Sequence, residues 1–304
     1  MDVGVIGTGV MGKNHVRVYS EMKEVGDLFL YDVNSSASSG IAKGCGINVV
    51  DSVDELLKNV DAVSICVSTQ YHYETAVQVA RAGISMLIEK PICQTSKQGE
   101  ELLSEIPDDI VAGVGHIERF NPIVNEISRI IDSPLYVEMK RHNPSSIRIN
   151  GSSVVEDLMI HDIDIIFNNG HFRGPYNLYS SGNSDICGAI FEFPGFPVYL
   201  STSRKSSKKI RMVYIEEENF TIEGDYMTQE VYIHKKPERY SHDADKYIQE
   251  NIVEKVMVSK VEPLKVELNT FVDCVRSGKE FPVSPDQAVK NVRICEDIRQ
   301  KCGY

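Results

Sequence analysis

Three glycines at positions 7, 9 and 12, an aspartate at 32, a lysine at 90 and an Asp157–His161 pair are the residues whose types and spacing could do chemistry. The glycines read G-x-G-x-x-G inside "VGVIGTGVMGKNH", directly after an apolar run and at the start of a helical one. In such a turn the first glycine allows the tight bend, the second lets a pyrophosphate approach the backbone, and the third lets the helix pack on the strand. The free N–H groups and dipole of the helix N-terminus favour the negative charge that arrives there.

Asp32 ends the next strand-like run, "LFLYD", 20 residues after Gly12. An acid at that distance accepts the hydroxyl of an adenosine ribose. Val33, Asn34, Ser35 and Ser36 follow, with no Arg or Lys to receive a 2′-phosphate, so NAD is expected rather than NADP. Gly7, Gly9, Val10, Met11, Gly12 and Asp32 are the cofactor contacts this fingerprint proposes.

In "IEKPIC", Lys90 lies between an acid and a proline at the end of an apolar run. If that run is a strand of a parallel sheet, Lys90 stands at the carboxyl edge, where such sheets bind ligands, and Pro91 ends the strand in a turn that can be cis. Local residues alone equally allow a surface lysine before a terminating proline. Likewise Asp157 and His161, four apart in "VVEDLMIHDIDII", share a helix face with Asp164 three residues further on. An imidazole oriented by a carboxylate accepts a hydroxyl proton near neutral pH, and an exposed pair of this kind is also an ordinary surface feature.

The elements that must position these residues fall into two halves. Up to residue 120, apolar β-rich runs ("DVGVIG", "LFLYD", "INVV", "AVSICV", "SMLIEK", "IVAGVG") alternate with helical stretches, predicting a doubly wound parallel sheet. After Asn121-Pro122 come a helix, a strand, the helix bearing Asp157 and His161, and then long runs of period two. That pattern predicts an α+β domain over 121–304 with a large open, mainly antiparallel sheet, closed by two helices.

The 304 residues carry a net charge of -12, which argues against general nucleic-acid binding. No apolar run reaches the roughly 18 residues of a membrane span, and Met1 runs straight into a strand pattern, so a soluble, leaderless, cytoplasmic chain is expected. The seven cysteines, Cys45 among them, have neither metal-ligand nor C-x-x-C spacing and read as reduced thiols, with no metal site.

Taken together, "GVIGTGVMGKNH", "VSTQYHYETAVQVARAGISMLIEKPI", "GHIERFNPIV" and "EDLMIHDID" resemble the Gfo/Idh/MocA oxidoreductase family over nearly the whole chain. The resemblance implies a Rossmann domain followed by an open-sheet domain, and NAD-dependent oxidation of a secondary alcohol on a sugar or cyclitol. It gives Lys90 the contact to the reacting hydroxyl and makes Asp157 and His161 the acid–base pair, with Asp164 as a further acid. Ser68, Thr69 and His72 match the family's P-T-x-x-H loop beside the nicotinamide, with Ser68 in place of proline, and Glu89 adjoins the cofactor with Lys90.

The "ERFNP" form is that of relatives acting on nucleotide sugars, and places Arg119 and Asn121 with Lys90, Asp157 and His161 among the substrate contacts. Oxidation of UDP-N-acetylglucosamine at its 3-hydroxyl is the reaction this resemblance favours; a free cyclitol or hexose, or a non-catalytic NAD-binding sensor, are the alternatives. The basic run "RKSSKKIR", His142 and Arg148 are further candidates for a diphosphate, and the open sheet offers a surface for homo-oligomerisation.

Overall fold

The computed structural model describes residues 1–42, 46–144, 152–237, 240–243, 246–249 and 251–304; Cys45 and Arg148 lie outside them. The chain forms two compact units, 1–120 with 262–293, and 121–261 with 294–304.

In the first unit strands and helices alternate: β1 (Val3–Ile6), α1 (Val10–Ser20), β2 (Leu28–Tyr31), α2 (Ser35–Ala42), β3 (Asn48–Val49), α3 (Val53–Leu57), β4 (Ala62–Ile65), α4 (His72–Arg81), β5 (Ser85–Glu89), α5 (Ser96–Glu105) and β6 (Ala112–Gly115). The strands pair in parallel in the order β3-β2-β1-β4-β5-β6. β1, β4 and β5 are buried along their whole length, as expected of a parallel sheet covered on both faces. The order reverses between β1 and β4, which puts the switch point beside the turn that follows β1.

Side-chain caps start several helices. Ser52 Oγ accepts from the Glu55 amide at 3.1 Å ahead of α3, and Thr95 Oγ1 from the Gln98 amide at 3.2 Å ahead of α5. Helix α2 was not foreseen: its serine-rich run has weak helix propensity, and Ser38 Oγ donates back to the Ser35 carbonyl at 3.0 Å.

The second unit begins with α6 (Pro122–Ile130), β7 (Tyr136–Pro144) and a π-helical turn (Val155–Met159) running into α7 (Ile160–Asn168). Strands β8 (Asn177–Gly182), β9 (Ile186–Phe193), β10 (Phe196–Ser203), β11 (Lys205–Glu216), β12 (Phe220–Asp225) and β13 (Glu230–Lys235) follow, then β14 (Tyr240–Asp243), β15 (Lys246–Gln249) and β16 (Val253–Val256). Among the described residues the sheet order is β16-β13-β12-β11-β7-β10-β9-β8, antiparallel except where β10 pairs with β7, and β14-β15 form a separate ribbon. Register lines up Phe191, Val198, Val137, Ile215 and Ile222 in one buried row, while Tyr179, Ile186, Ile190 and Met212 are exposed. A slip of one residue would invert these faces, so burial fixes the register.

Helices α8 (Pro263–Ser277) and α9 (Pro285–Cys302) complete the chain. The expectation of a second domain running unbroken over 121–304 is corrected here, because 262–293 packs with the first unit. Arg17 on α1 pairs with Glu262, and Lys265 with Glu21 at 3.1 Å. The Val114 amide donates to the Val283 carbonyl at 3.1 Å, and Gly99 leaves room for Val289, which a β-carbon there would approach to 2.6 Å. Apolar surface on α8, including Leu268 and Phe271, is buried in that unit's core, something helical periodicity cannot assign to one domain or the other.

Among the described residues no helix is long and apolar enough to cross a membrane, no cluster of ligands suits a metal ion, and the six cysteines are free thiols.

Candidate active site

The turn after β1 has the geometry its glycines require. Gly7 has φ +93°, and a β-carbon on it would lie 2.7 Å from the backbone of Cys66 and Val67. On Gly12 a β-carbon would come within 1.9 Å of the Gly7 carbonyl, so the third glycine is what lets α1 sit against the turn. Gly9 is different: a β-carbon there would meet nothing within 4 Å. Gly9 is also the N-cap of α1 and makes no side-chain cap, and Val10 and Met11 occupy its first turn. Open space over uncapped N–H groups suits a dinucleotide pyrophosphate.

Asp32 is oriented beside that turn. Its Oδ2 accepts from the Thr8 amide at 2.6 Å and from Thr8 Oγ1 at 2.8 Å, while Oδ1 accepts from the Asn34 amide at 2.8 Å. Burial pushes the carboxyl up, but these three hydrogen bonds outweigh it and hold Asp32 below the ordinary carboxylate range. An ionised acid at this position accepts ribose hydroxyls, so the residues present fit NAD.

Ser68, where the resembled family has proline, has φ -68° and ψ 144°. A pyrrolidine ring fixes φ at nearly this value, so the backbone at Ser68 already has the φ that a proline there would impose. Thr69 opens the following 3-10 turn, and the Ser68 carbonyl accepts from the Tyr71 amide at 2.8 Å.

His72 is buried, with Nδ1 2.8 Å from the Pro91 carbonyl and Nε2 3.1 Å from the Val67 carbonyl. Burial lowers its pKa, although both carbonyls favour the protonated ring. The ring braces the loop after β4 against the turn after β5.

Lys90 follows the last residue of β5, is half-buried, and is joined to Pro91 by a cis peptide. Glu89 faces inward: Oε1 is 3.0 Å from His15 Nε2 on α1, and Oε2 accepts from the Lys90 amide at 3.2 Å. Burial raises the Glu89 carboxyl, and the hydrogen bond from His15 together with the positive charge of His15, Lys90 and His72 outweighs this, leaving it below the usual range. The glycine turn, Asp32, Ser68, Thr69 and Lys90 thus share the carboxyl edge of one parallel sheet.

In the second unit Asp157 lies on the π-helical turn and His161 on the first turn of α7, both half-buried. A uniform α-helix was expected across this stretch; the wider turn at its start is of a kind often found at functional positions. Asp164 is buried and its Oδ1 accepts from Asn168 Nδ2 at 3.0 Å. Next to His161, Asp162 Oδ1 accepts from Arg141 Nε at 3.0 Å and Nη2 at 2.7 Å, with both side chains buried. The guanidinium lies 5.4 Å from the centre of the Tyr226 ring.

Other candidates are committed locally. Asn121 is 2% exposed, caps α6 by accepting from the Ile123 amide at 3.4 Å, and donates to the Tyr226 carbonyl at 3.0 Å. Arg119 donates to Gln287 Oε1 at 3.3 Å. In the basic run, Arg204 and Lys205 both face Asp185, at 3.7 and 2.9 Å, and Arg204 also donates to the Ser152 carbonyl at 2.7 Å. His142 meets Ser201 Oγ at 2.9 Å, and burial lowers its pKa.

Three residues escaped the sequence reading: His15, Arg141 and Asp162. Each had a signal. His15 stands three residues after Gly12 on the inward face of α1, and Arg141 continues the inward-facing Val137–Met139 row of β7, where a charge requires a partner.

Residues 1–109 match the Gfo/Idh/MocA family, described as an oxidoreductase family with an NAD-binding Rossmann fold. A UDP-N-acetylglucosamine 3-dehydrogenase of Acidithiobacillus ferrooxidans is 33% identical over 167 residues, 54% of this chain and 53% of that one. An inositol 2-dehydrogenase of Rhizobium meliloti is 27% identical over 174 residues, 53% and 52% of the two chains. The matched region thus spans about half the length of these curated relatives. The solved Acidithiobacillus ferrooxidans 3-dehydrogenase superposes with TM-score 0.88 at 23% identity, covering 99% of this chain and 97% of that one. A levoglucosan dehydrogenase solved with NADH superposes with TM-score 0.81 at 17% identity, covering 99% and 96%. At such identities the structural likeness establishes the fold alone, and the likeness to the Gfo/Idh/MocA oxidoreductase family is a match of residues 1–109, the stretch that carries the glycine turn, Asp32 and Lys90.

Proposed function

We propose that the protein oxidises a secondary hydroxyl of a nucleotide sugar, with UDP-N-acetylglucosamine converted to its 3-keto derivative. Bound NAD⁺ would accept the hydride. In this reading Lys90 contacts the reacting hydroxyl as an ammonium and stabilises developing alkoxide, as fixed positive charge does in a dry site. His161, oriented by Asp157, takes the hydroxyl proton. Arg119 serves as a substrate contact.

The observation that carries the proposal is the presentation of Lys90 at the strand edge that also bears the glycine turn and Asp32. The 33% identity to a UDP-N-acetylglucosamine 3-dehydrogenase supports the sugar. Oxidation of a free cyclitol is the second reading, favoured by the similarity to inositol 2-dehydrogenases. We further propose a homo-oligomer associating through the exposed sheet face that carries Tyr179, Ile190 and Met212, and a cytoplasmic setting, which suits the free thiols.

The test is NADH formation from UDP-sugars and free polyols, with mass spectrometry of the keto product. Lys90→Met and His161→Ala are each expected to lower kcat by about 10²-fold or more at unchanged NAD affinity. Full turnover in both variants refutes the assignment. Failure of UDP to compete with the substrate transfers the proposal to a free cyclitol.

A further inference from the structure

The β5–β6 ladder ends with Glu89 opposite Gly115, so the Lys90 amide is the first past the ladder, and Pro91 beyond it has no N–H. That amide is satisfied by Glu89's own carboxylate, Oε2 at 3.2 Å. The other carboxylate oxygen lies 3.0 Å from His15 Nε2. Gly115 makes room for the acid, since a β-carbon there would stand 3.2 Å from Glu89 Oε1.

His15 is fully buried, and among the described residues no group hydrogen bonds its Nδ1, so the ring's polar function is directed at Glu89. β5 is otherwise apolar or small. An acid and an imidazole in so dry a place add no stability that a packed apolar pair would not, so a role other than packing is to be sought for them. What they do is join α1, the helix that the glycine turn starts, to the backbone of Lys90.

We propose that His15 and Glu89 are positioning residues for Lys90. The Glu89 carboxylate bridges the His15 ring and the Lys90 amide, so the cofactor-binding helix and the lysine keep one fixed geometry. The inference rests on the reading of Lys90 as the residue that meets the reacting hydroxyl.

His15→Leu fills the space without a donor, whereas His15→Gln retains an N–H for the carboxylate. Glu89→Leu removes the acceptor. Hydrogen exchange at the Lys90 amide, measured on the full chain without substrate, is expected to speed up about tenfold or more in His15→Leu and Glu89→Leu and to stay near wild type in His15→Gln. Turnover should fall by about 10²-fold in the two leucine variants, with NAD affinity held within about twofold in His15→Leu, and recover in His15→Gln.

Unchanged exchange in His15→Leu, or equal loss in His15→Leu and His15→Gln, overturns the proposal by reducing the pair to packing. So does a loss of NAD affinity in His15→Leu that parallels its loss of turnover. If the wild type oxidises no sugar or polyol, the functional reading fails, and the exchange measurement still decides whether the pair holds the Lys90 backbone.

Discussion

The two units hold their candidate residues by different means. In the first, backbone does most of it: the ends of parallel strands, a positive-φ glycine, a peptide amide past the last ladder pair. In the second, Asp157 and His161 depend on a helix held by its buried isoleucines and by one buried ion pair from a distant strand, Arg141 on β7 to Asp162. A site built on strand ends can be written in short motifs. One built on a helix face needs an anchor elsewhere in the chain.

The sharpest way to break this contrast is Arg141→Met. It leaves the Asp162 carboxylate buried without its guanidinium and should cost about 3–5 kcal/mol, read by urea denaturation. Replacing both, Arg141→Met with Asp162→Leu, should restore much of that loss, because a well-packed apolar pair often equals a buried ion pair. A single variant as stable as wild type would show that the anchor is dispensable.

Within the first unit the glycines separate folding from binding. Gly12→Ala drives a β-carbon into the Gly7 carbonyl and should cost about 1–3 kcal/mol of stability along with NAD affinity. Gly9→Ala, facing open space, should leave the melting temperature unchanged and weaken NAD alone. Equal melting losses in both variants would contradict this division.

A smaller effect is expected from acid. His72 has a lowered pKa in the folded chain, so between its ordinary value of about 6.5 and that lower value the unfolded state binds more protons. Stability should therefore fall as the pH drops below about 6.5, and level off once the folded-state ring is also protonated. His72→Gln should flatten that slope in thermal melts at stepped pH. The smallest expected change is Ser68→Pro, whose φ the loop already adopts; it should be neutral or stabilising by up to about 1 kcal/mol.

Read by itself, the sequence determined the alternation of strands and helices up to residue 120 apart from α2, the glycine fingerprint with its acid, and the placement of Lys90 at a strand end, because period and spacing are local properties of a chain. It also showed where the second, two-period half begins. It could not assign α8 to the first unit, since an amphipathic helix carries no label for the core that will bury it. The Ser68 loop was legible only once φ was known. His15–Glu89 and Arg141–Asp162 join residues 74 and 21 positions apart. Only tertiary structure decides such pairs, because burial turns an ordinary charged residue into one that must find its partner.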